Sequence, residues 1–147
     1  MTIRIFEALT IGAICALLAG CGAQGEAYQA LPVPVSKSVI YLYRPYVFYA
    51  SAVTPVVTCG QESIELESGG YYSFINESGP VTCSGSTAGS TQLNFDAHPS
   101  EEYYVKEQVS PTDFSGRTQL TLMSTGVGRD EIASCKKQGI PATRVHN

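Results

Sequence analysis

From Ser38 onward the chain repeats one pattern: runs of four to eight β-branched and aromatic residues, separated by Gly, Pro, Ser or Asn. Runs this short, closed by turn residues, are too brief for helices and suit strands. Val39-Ile40-Tyr41-Leu42-Tyr43 is apolar on both faces, which predicts a central strand. Val53 to Cys59 follows, closed by Gly60-Gln61, and Ser63 to Glu67 alternates Ile64 and Leu66 inward against Glu65 and Glu67 outward. Tyr71 to Ile75, Val81 to Ser84, Gln92 to Asp96, Glu102 to Val109 and Arg117 to Met123 complete the set, with turns at 76–80 and a loop at 85–90. Seven or eight strands in a 147-residue chain predict a mainly β fold, a single small antiparallel β-sandwich. One short C-terminal helix is expected at Asp130 to Lys137, because acids open the segment, lysines close it, and Gly139 with Pro141 stops it. Ile132 and Cys135, three residues apart, would share its packed face.

The N-terminus follows different rules. Met1 to Arg4 carries the free amine and Arg4, and Ala8 to Leu18 is apolar for 11 residues before Ala19-Gly20. That layout predicts a secretory signal segment. A run of this length does not cross a hydrocarbon core of about 30 Å, which takes about 20 helical residues. The segment ends in Leu18-Ala19-Gly20-Cys21, which resembles the bacterial lipobox, so the resemblance implies cleavage before Cys21 and lipidation of its thiol. Glu7 weakens the positive n-region without reversing its sign. Two or more acyl chains make a durable anchor, at about 0.8 kcal/mol per buried methylene. In lipoproteins of this kind an Asp after the Cys holds the protein at the inner membrane; Gly22 stands there, which implies the outer membrane, with the domain on the periplasmic side.

The expected organisation is a signal segment at 1–20, lipidated Cys21 and a flexible tether at 21–37, the sandwich at 38–138 and a tail at 139–147. Gly22 to Lys37 is small and polar, has Pro32 and Pro34, and shows no sustained period. In an extended state at ~3.1 Å per residue it would span roughly 45–50 Å. The alternative is that Leu31 to Val35 adds an edge strand.

The charge balance, 9 Lys+Arg against 13 Asp+Glu for a net of −4, excludes the counterion-release drive of nucleic-acid binding, so no nucleic-acid partner is expected. Hydrophobic residues make up 44% and charged residues 15%, which rules out a disordered chain. Of five Cys, Cys15 falls in the signal segment and Cys21 takes the lipid, leaving Cys59, Cys83 and Cys135 in an oxidising compartment. Val57-Thr58-Cys59-Gly60 and Val81-Thr82-Cys83-Ser84 are near-identical settings, each a strand residue beside a turn, which suits a cross-strand disulfide. The alternative is two small buried residues that never meet. Cys135 is expected in the core.

No motif for catalysis or cofactor binding stands out. His98 lies beside Pro99 in a loop and His146 is the penultimate residue, so neither is set against a nucleophile. Gly85-Ser86-Thr87-Ala88-Gly89 has Thr87 where a nucleophile elbow needs its nucleophile. Glu101-Glu102 would face opposite ways on a strand, and Asp130-Glu131 is expected to serve a helix start. No C-x-x-C pair or His cluster points to a metal, and no cofactor is expected. The aromatic stretch Tyr43-Arg44-Pro45-Tyr46-Val47-Phe48-Tyr49 is the most suggestive surface. Arg44, Tyr46, Phe48 and Tyr49 are the candidate binding residues, because Tyr and Arg supply stiff contact area with a polar tip. Alternatively the loop folds over one end of the sandwich and buries these rings.

Three segments together resemble small bacterial lipoproteins whose domain is a β-sandwich of the PEGA or transthyretin-like kind, of unknown function: Ile40-Tyr41-Leu42-Tyr43-Arg44-Pro45, Gly69-Gly70-Tyr71-Tyr72 and Tyr103-Tyr104-Val105-Lys106. The resemblance spans 37–137. This chain departs from it at Cys59-Gly60, where such domains often carry Asp-Gly, and at Cys83, departures that fit an added disulfide. The resemblance implies fold and anchoring and supplies no catalytic residues. The expected function is therefore a lipid-anchored, non-catalytic binding or scaffolding domain of the cell envelope. Its partner would be the membrane through the lipid, with an envelope protein or glycan on the aromatic surface. The alternative is a small envelope hydrolase or an enzyme inhibitor.

Overall fold

The computed structural model describes residues 22–111 and 117–139. The expected signal segment, Cys15, Cys21, His146 and all but Gly139 of the expected tail lie outside the described residues. Among the described residues nine strands form two sheets. They are β1 (Lys37–Tyr43), β2 (Val56–Cys59), β3 (Glu62–Glu65), β4 (Gly70–Glu77), β5 (Gly79–Gly85), β6 (Gln92–Ala97), β7 (Glu102–Val109), β8 (Thr118–Met123) and the two-residue β9 (Lys136–Lys137), with one helix, α1 (Thr125–Ile132). One sheet runs β8-β7-β1-β4-β9 and the other β3-β2-β5-β6. The sandwich expected from the alternation is present.

β1 sits at the centre of the larger sheet, as its two apolar faces require. It is antiparallel to β4, pairing Val39 with Ile75, and parallel to β7, pairing Tyr41 with Tyr104. The β4–β9 pairing is parallel as well, so this sheet is mixed where an all-antiparallel one was expected. The β2–β3 hairpin turns through Gly60-Gln61, and Gly60 takes φ 60°, a value that costs glycine nothing in a tight two-residue turn.

Between the sheets lies an aliphatic core that includes Ile40, Leu42, Val57, Ile64, Leu66, Val81, Val105 and Leu120. Cys59 and Cys83 belong to it and are disulfide-bonded. They are register partners in the β2–β5 ladder, and the bonds Gly60 N–H to Thr82 O and Ser86 N–H to Val56 O make theirs a non-hydrogen-bonded pair, the kind that brings side chains closest.

The opposite face of the larger sheet carries a second core built largely of tyrosine: Tyr41, Tyr43, Tyr71 and Tyr104 with Val39, Ile132 and Cys135. Buried phenols need partners for their hydroxyls, and the segment expected to be a tether provides them. Leu31 N–H donates to Tyr41 Oη at 2.8 Å and Gln29 N–H to Tyr71 Oη at 3.3 Å, while the Tyr28 and Tyr104 hydroxyls meet at 3.0 Å. Tyr28, Leu31 and Val33 pack on this core, and Ala27 bridges to Lys136. Residues 22–36 are therefore a strap along the sheet, which corrects the expectation of a free tether. Each aromatic contact, such as Tyr28 edge-on to Tyr41 at 5.6 Å, contributes about 1 kcal/mol.

The helix is also displaced from its expected place. It begins at Thr125, five residues before Asp130, and ends at Ile132. Gly128 is buried against Tyr104, so close approach to the sheet selects this segment. Asp130 and Glu131 consequently fall near its C-terminus, where the helix dipole disfavours acids. Glu131 is compensated by Lys106 Nζ at 2.9 Å and the Tyr43 hydroxyl at 2.6 Å. Lys136 and Lys137, expected to close the helix, form β9 instead.

Candidate functional site

β1 ends where Pro45, lacking an N–H, cannot continue the ladder. Arg44 N–H makes the last bond, to Gly70 O at 2.9 Å. Continuing the alternation of Ile40 and Leu42, Arg44 turns inward and is 1% exposed. Its Nη1 donates to Val53 O at 2.6 Å and Leu66 O at 3.1 Å, and its Nη2 to Ala50 O at 2.6 Å. Two of those carbonyls belong to the loop that follows β1, so the guanidinium fixes that loop from beneath. Arg44, expected on the binding surface, is a buried positioning residue, because a loop carrying unpaired carbonyls into the core needs an internal donor.

The rings above it point outward. A short 3-10 turn at Phe48–Ala50, pinned by Ser51 Oγ to Phe48 O at 3.0 Å and by buried Ala50, leaves Tyr46 54%, Phe48 84% and Tyr49 59% exposed. These three expected site residues are brought together on one surface, and the reading in which they fill the core fails for them. Tyr43, from the same stretch, is buried.

Next to the loop is a cavity of about 210 Å³ between Pro45, Val47 and Tyr49 on one side and Lys106 to Val109 of β7 on the other. That is below the roughly 300 Å³ at which small-molecule sites begin. Glu107, at its wall, is 1% exposed, and neither carboxylate oxygen has a hydrogen-bond partner. Burial pushes its carboxyl up to about 7, against the opposing pull of Arg44. The same burial draws the Arg44 guanidinium below its ordinary value, and Glu107 acts in the opposite direction. Glu107 was not singled out from the sequence; an acid between Val105 and Val109 on the inward phase of a strand was the available signal.

The start of the strap joins this end of the molecule. Ala23 N–H donates to Ser68 O at 3.0 Å, and a Cβ built on Gly22 would lie 3.4 Å from the Tyr46 ring. Ser68 Oγ accepts from Val47 N–H at 3.0 Å. Residues 22–23, the turn at Ser68-Gly69 and the aromatic loop thus form one continuous surface.

The other sequence candidates are scattered. His98 is exposed, and its backbone N–H donates to Tyr103 Oη. Glu101 accepts from Tyr103, whereas Glu102 pairs with Arg129 at 2.6 Å, the divergence expected of neighbours on a strand. Cys135 is free and buried, with its thiol donating to Arg44 O at 3.7 Å and its pKa pushed up to about 11 by burial. Among the described residues no group of three or more His, Cys, Asp or Glu could hold a metal ion, and no helix is long and apolar enough to cross a membrane. No known family model matches the chain, and no curated protein matches it significantly.

Proposed function

We propose that this is a lipid-anchored protein of the bacterial cell envelope, tethered through Cys21 to the periplasmic side of the outer membrane, whose β-sandwich is a non-catalytic binding or scaffolding module. The lipobox-like Leu18-Ala19-Gly20-Cys21 and the likeness to small β-sandwich lipoproteins support the anchor. One observation carries the binding role: Tyr46, Phe48 and Tyr49 are held outward together on a loop whose shape is fixed by buried Arg44. Holding exposed rings rigid lowers the entropy lost on contact.

The test replaces Tyr46, Phe48 and Tyr49 together by Ser in the full chain and follows its crosslinks in intact envelopes. The variant should melt cooperatively at the wild-type temperature while its crosslinks weaken. A folded variant that crosslinks as wild type would remove the loop from the binding role.

A further inference from the structure

We propose that the contact of the Tyr46–Tyr49 loop is the phospholipid leaflet itself: Tyr46, Phe48 and Tyr49 seat in the headgroup–acyl boundary of the membrane that holds the lipid on Cys21. This deepens the binding role proposed above and rests on the anchoring at Cys21.

The direction of the strap carries the argument. β1 runs from Lys37, paired with Glu77 at one end of the sheet, to Tyr43, paired with Tyr71 at the other. The strap travels back along β1, past Tyr41 at Leu31 and past Tyr71 at Gln29, and finishes with Ala23 bonded to Ser68. The chain therefore leaves the fold at the Tyr43 end, beside the Tyr46 ring. Cys21 follows by one peptide unit, with its Cα about 3.8 Å from that of Gly22. An acylated Cys21 therefore joins the lipid to the fold with no long tether between them, which holds the loop close to the leaflet.

The residue types match the place. Tyrosine is enriched at membrane–water interfaces, where its ring lies among headgroups with the hydroxyl toward water, and phenylalanine on an interfacial face buries in the acyl boundary. Three exposed rings fall within four consecutive residues, while Val35 and Ile75, also exposed, lie near the opposite end of β1. Because the acyl chains already hold the domain at the surface, ring insertion is effectively intramolecular and needs little affinity of its own. Charge is not the driver: exposed Lys136, bonded through its N–H to Gly69 O, is matched by exposed Glu67 in the same turn, whose carbonyl accepts from Gly70. Zwitterionic lipid should therefore suffice. The domain would stand with β1 steeply inclined to the membrane, and the corner at Ser78 and the His98–Ser100 loop farthest from it.

The chain has no Trp, so Phe48→Trp and, separately, Ile75→Trp each introduce a single reporter at an exposed position; Tyr49→Trp is a second loop reporter. Each full-length protein is produced in a double-membraned bacterium, its N-terminal peptide is weighed for the lipid, and it is reconstituted into phosphatidylcholine vesicles with and without brominated acyl chains. With the lipid mass present, Phe48→Trp and Tyr49→Trp should emit to the blue and lose most of their emission to bromine, while Ile75→Trp keeps its own. Equal, unquenched emission from all three in the lipidated protein would overturn the membrane contact and leave the anchor standing. So would a loop reporter that ignores bromine but responds to envelope protein or peptidoglycan. A missing lipid mass would overturn the anchor first and the membrane contact with it.

Discussion

Arg44, which follows β1, and Glu107, on the neighbouring parallel β7, each come one residue after the Tyr43–Lys106 pair, and both are buried with no hydrogen bond between them. The guanidinium spends its Nη donors on backbone carbonyls, so Glu107 is left with attraction at a distance and no direct partner. This makes the end of the sandwich beneath the aromatic loop sensitive to pH and to the removal of either group.

Glu107 titrates at about 7 in the folded protein against an ordinary 4.5. Between those values the folded state holds a proton that the unfolded state has released, so stability falls as pH rises from 4.5 to 7 and levels off above. A shift of this size corresponds to about 3 kcal/mol. Glu107→Gln should be about 3 kcal/mol more stable than wild type at pH 8, about equal at pH 4.5, and flatter between; urea melts across that range would show it. A wild-type slope retained in the variant would assign the pH dependence to another group.

Arg44→Met should cost about 3–5 kcal/mol, because it orphans three carbonyl acceptors and leaves Glu107 without a neighbouring positive charge. Adding Glu107→Leu should recover part of the loss, and a double-mutant cycle gives the coupling. Strict additivity of the two substitutions would show that the pair does not interact.

The Cys59–Cys83 bridge closes a separation of 24 residues, for which the chain-entropy relation gives about 3.5 kcal/mol. Cys59→Ala with Cys83→Ala should lower stability by that order in denaturant melts. Under denaturing, non-reducing alkylation the peptide carrying Cys135 should be labelled and those carrying Cys59 and Cys83 should not. Cys135 should resist labelling in the native protein, being buried with its pKa raised to about 11.

The two helix glycines should respond oppositely. A Cβ at Gly128 would collide with Tyr104, whereas one at Gly126 meets nothing within 4 Å. Gly128→Ala should destabilise by about 1–3 kcal/mol through displacement of α1, and Gly126→Ala should stabilise by about 0.5–1 kcal/mol. Thermal melts of the two variants separate close packing from helix propensity.

What could be read from the sequence was whatever has a short period. β7 has the bounds that its Tyr-rich run suggested, and Ile64 and Leu66 face inward as their alternation required. Partnership between distant strands has no such signal: nothing in Val39 to Tyr43 says that one neighbour runs parallel. Charge misled twice. Asp130 and Glu131 drew the expected helix toward the C-terminus, although the contact at Gly128 decides its position, and Arg44 read as surface although it caps the core. The strap was hidden because its backbone N–H groups bond tyrosine hydroxyls, which leaves no alternation in its own side chains. At the candidate site the composition marked Tyr46, Phe48 and Tyr49 as a stretch of interest but left open whether the rings face solvent or the core, and the nearness of Gly22 to Tyr46 exists only in three dimensions.

The strap also gives the molecule a mechanical character. A pull applied at residue 22 acts first on the Ala23–Ser68 bond, then on Glu26–Lys137, and then on the links from Gln29 to Tyr71 and from Leu31 to Tyr41. Loaded in series, such contacts open one after another at low force, as a zipper does. About 15 residues drawn out at ~3.3 Å each reach roughly 50 Å, and because the strap already runs the length of seven-residue β1, roughly 23 Å, the slack released is about 25 Å. Only then does tension reach β1, which β4 and β7 clamp along both edges and which must be sheared out against all those bonds together. The strap is thus an extensible lead that would yield under load ahead of the sandwich behind it.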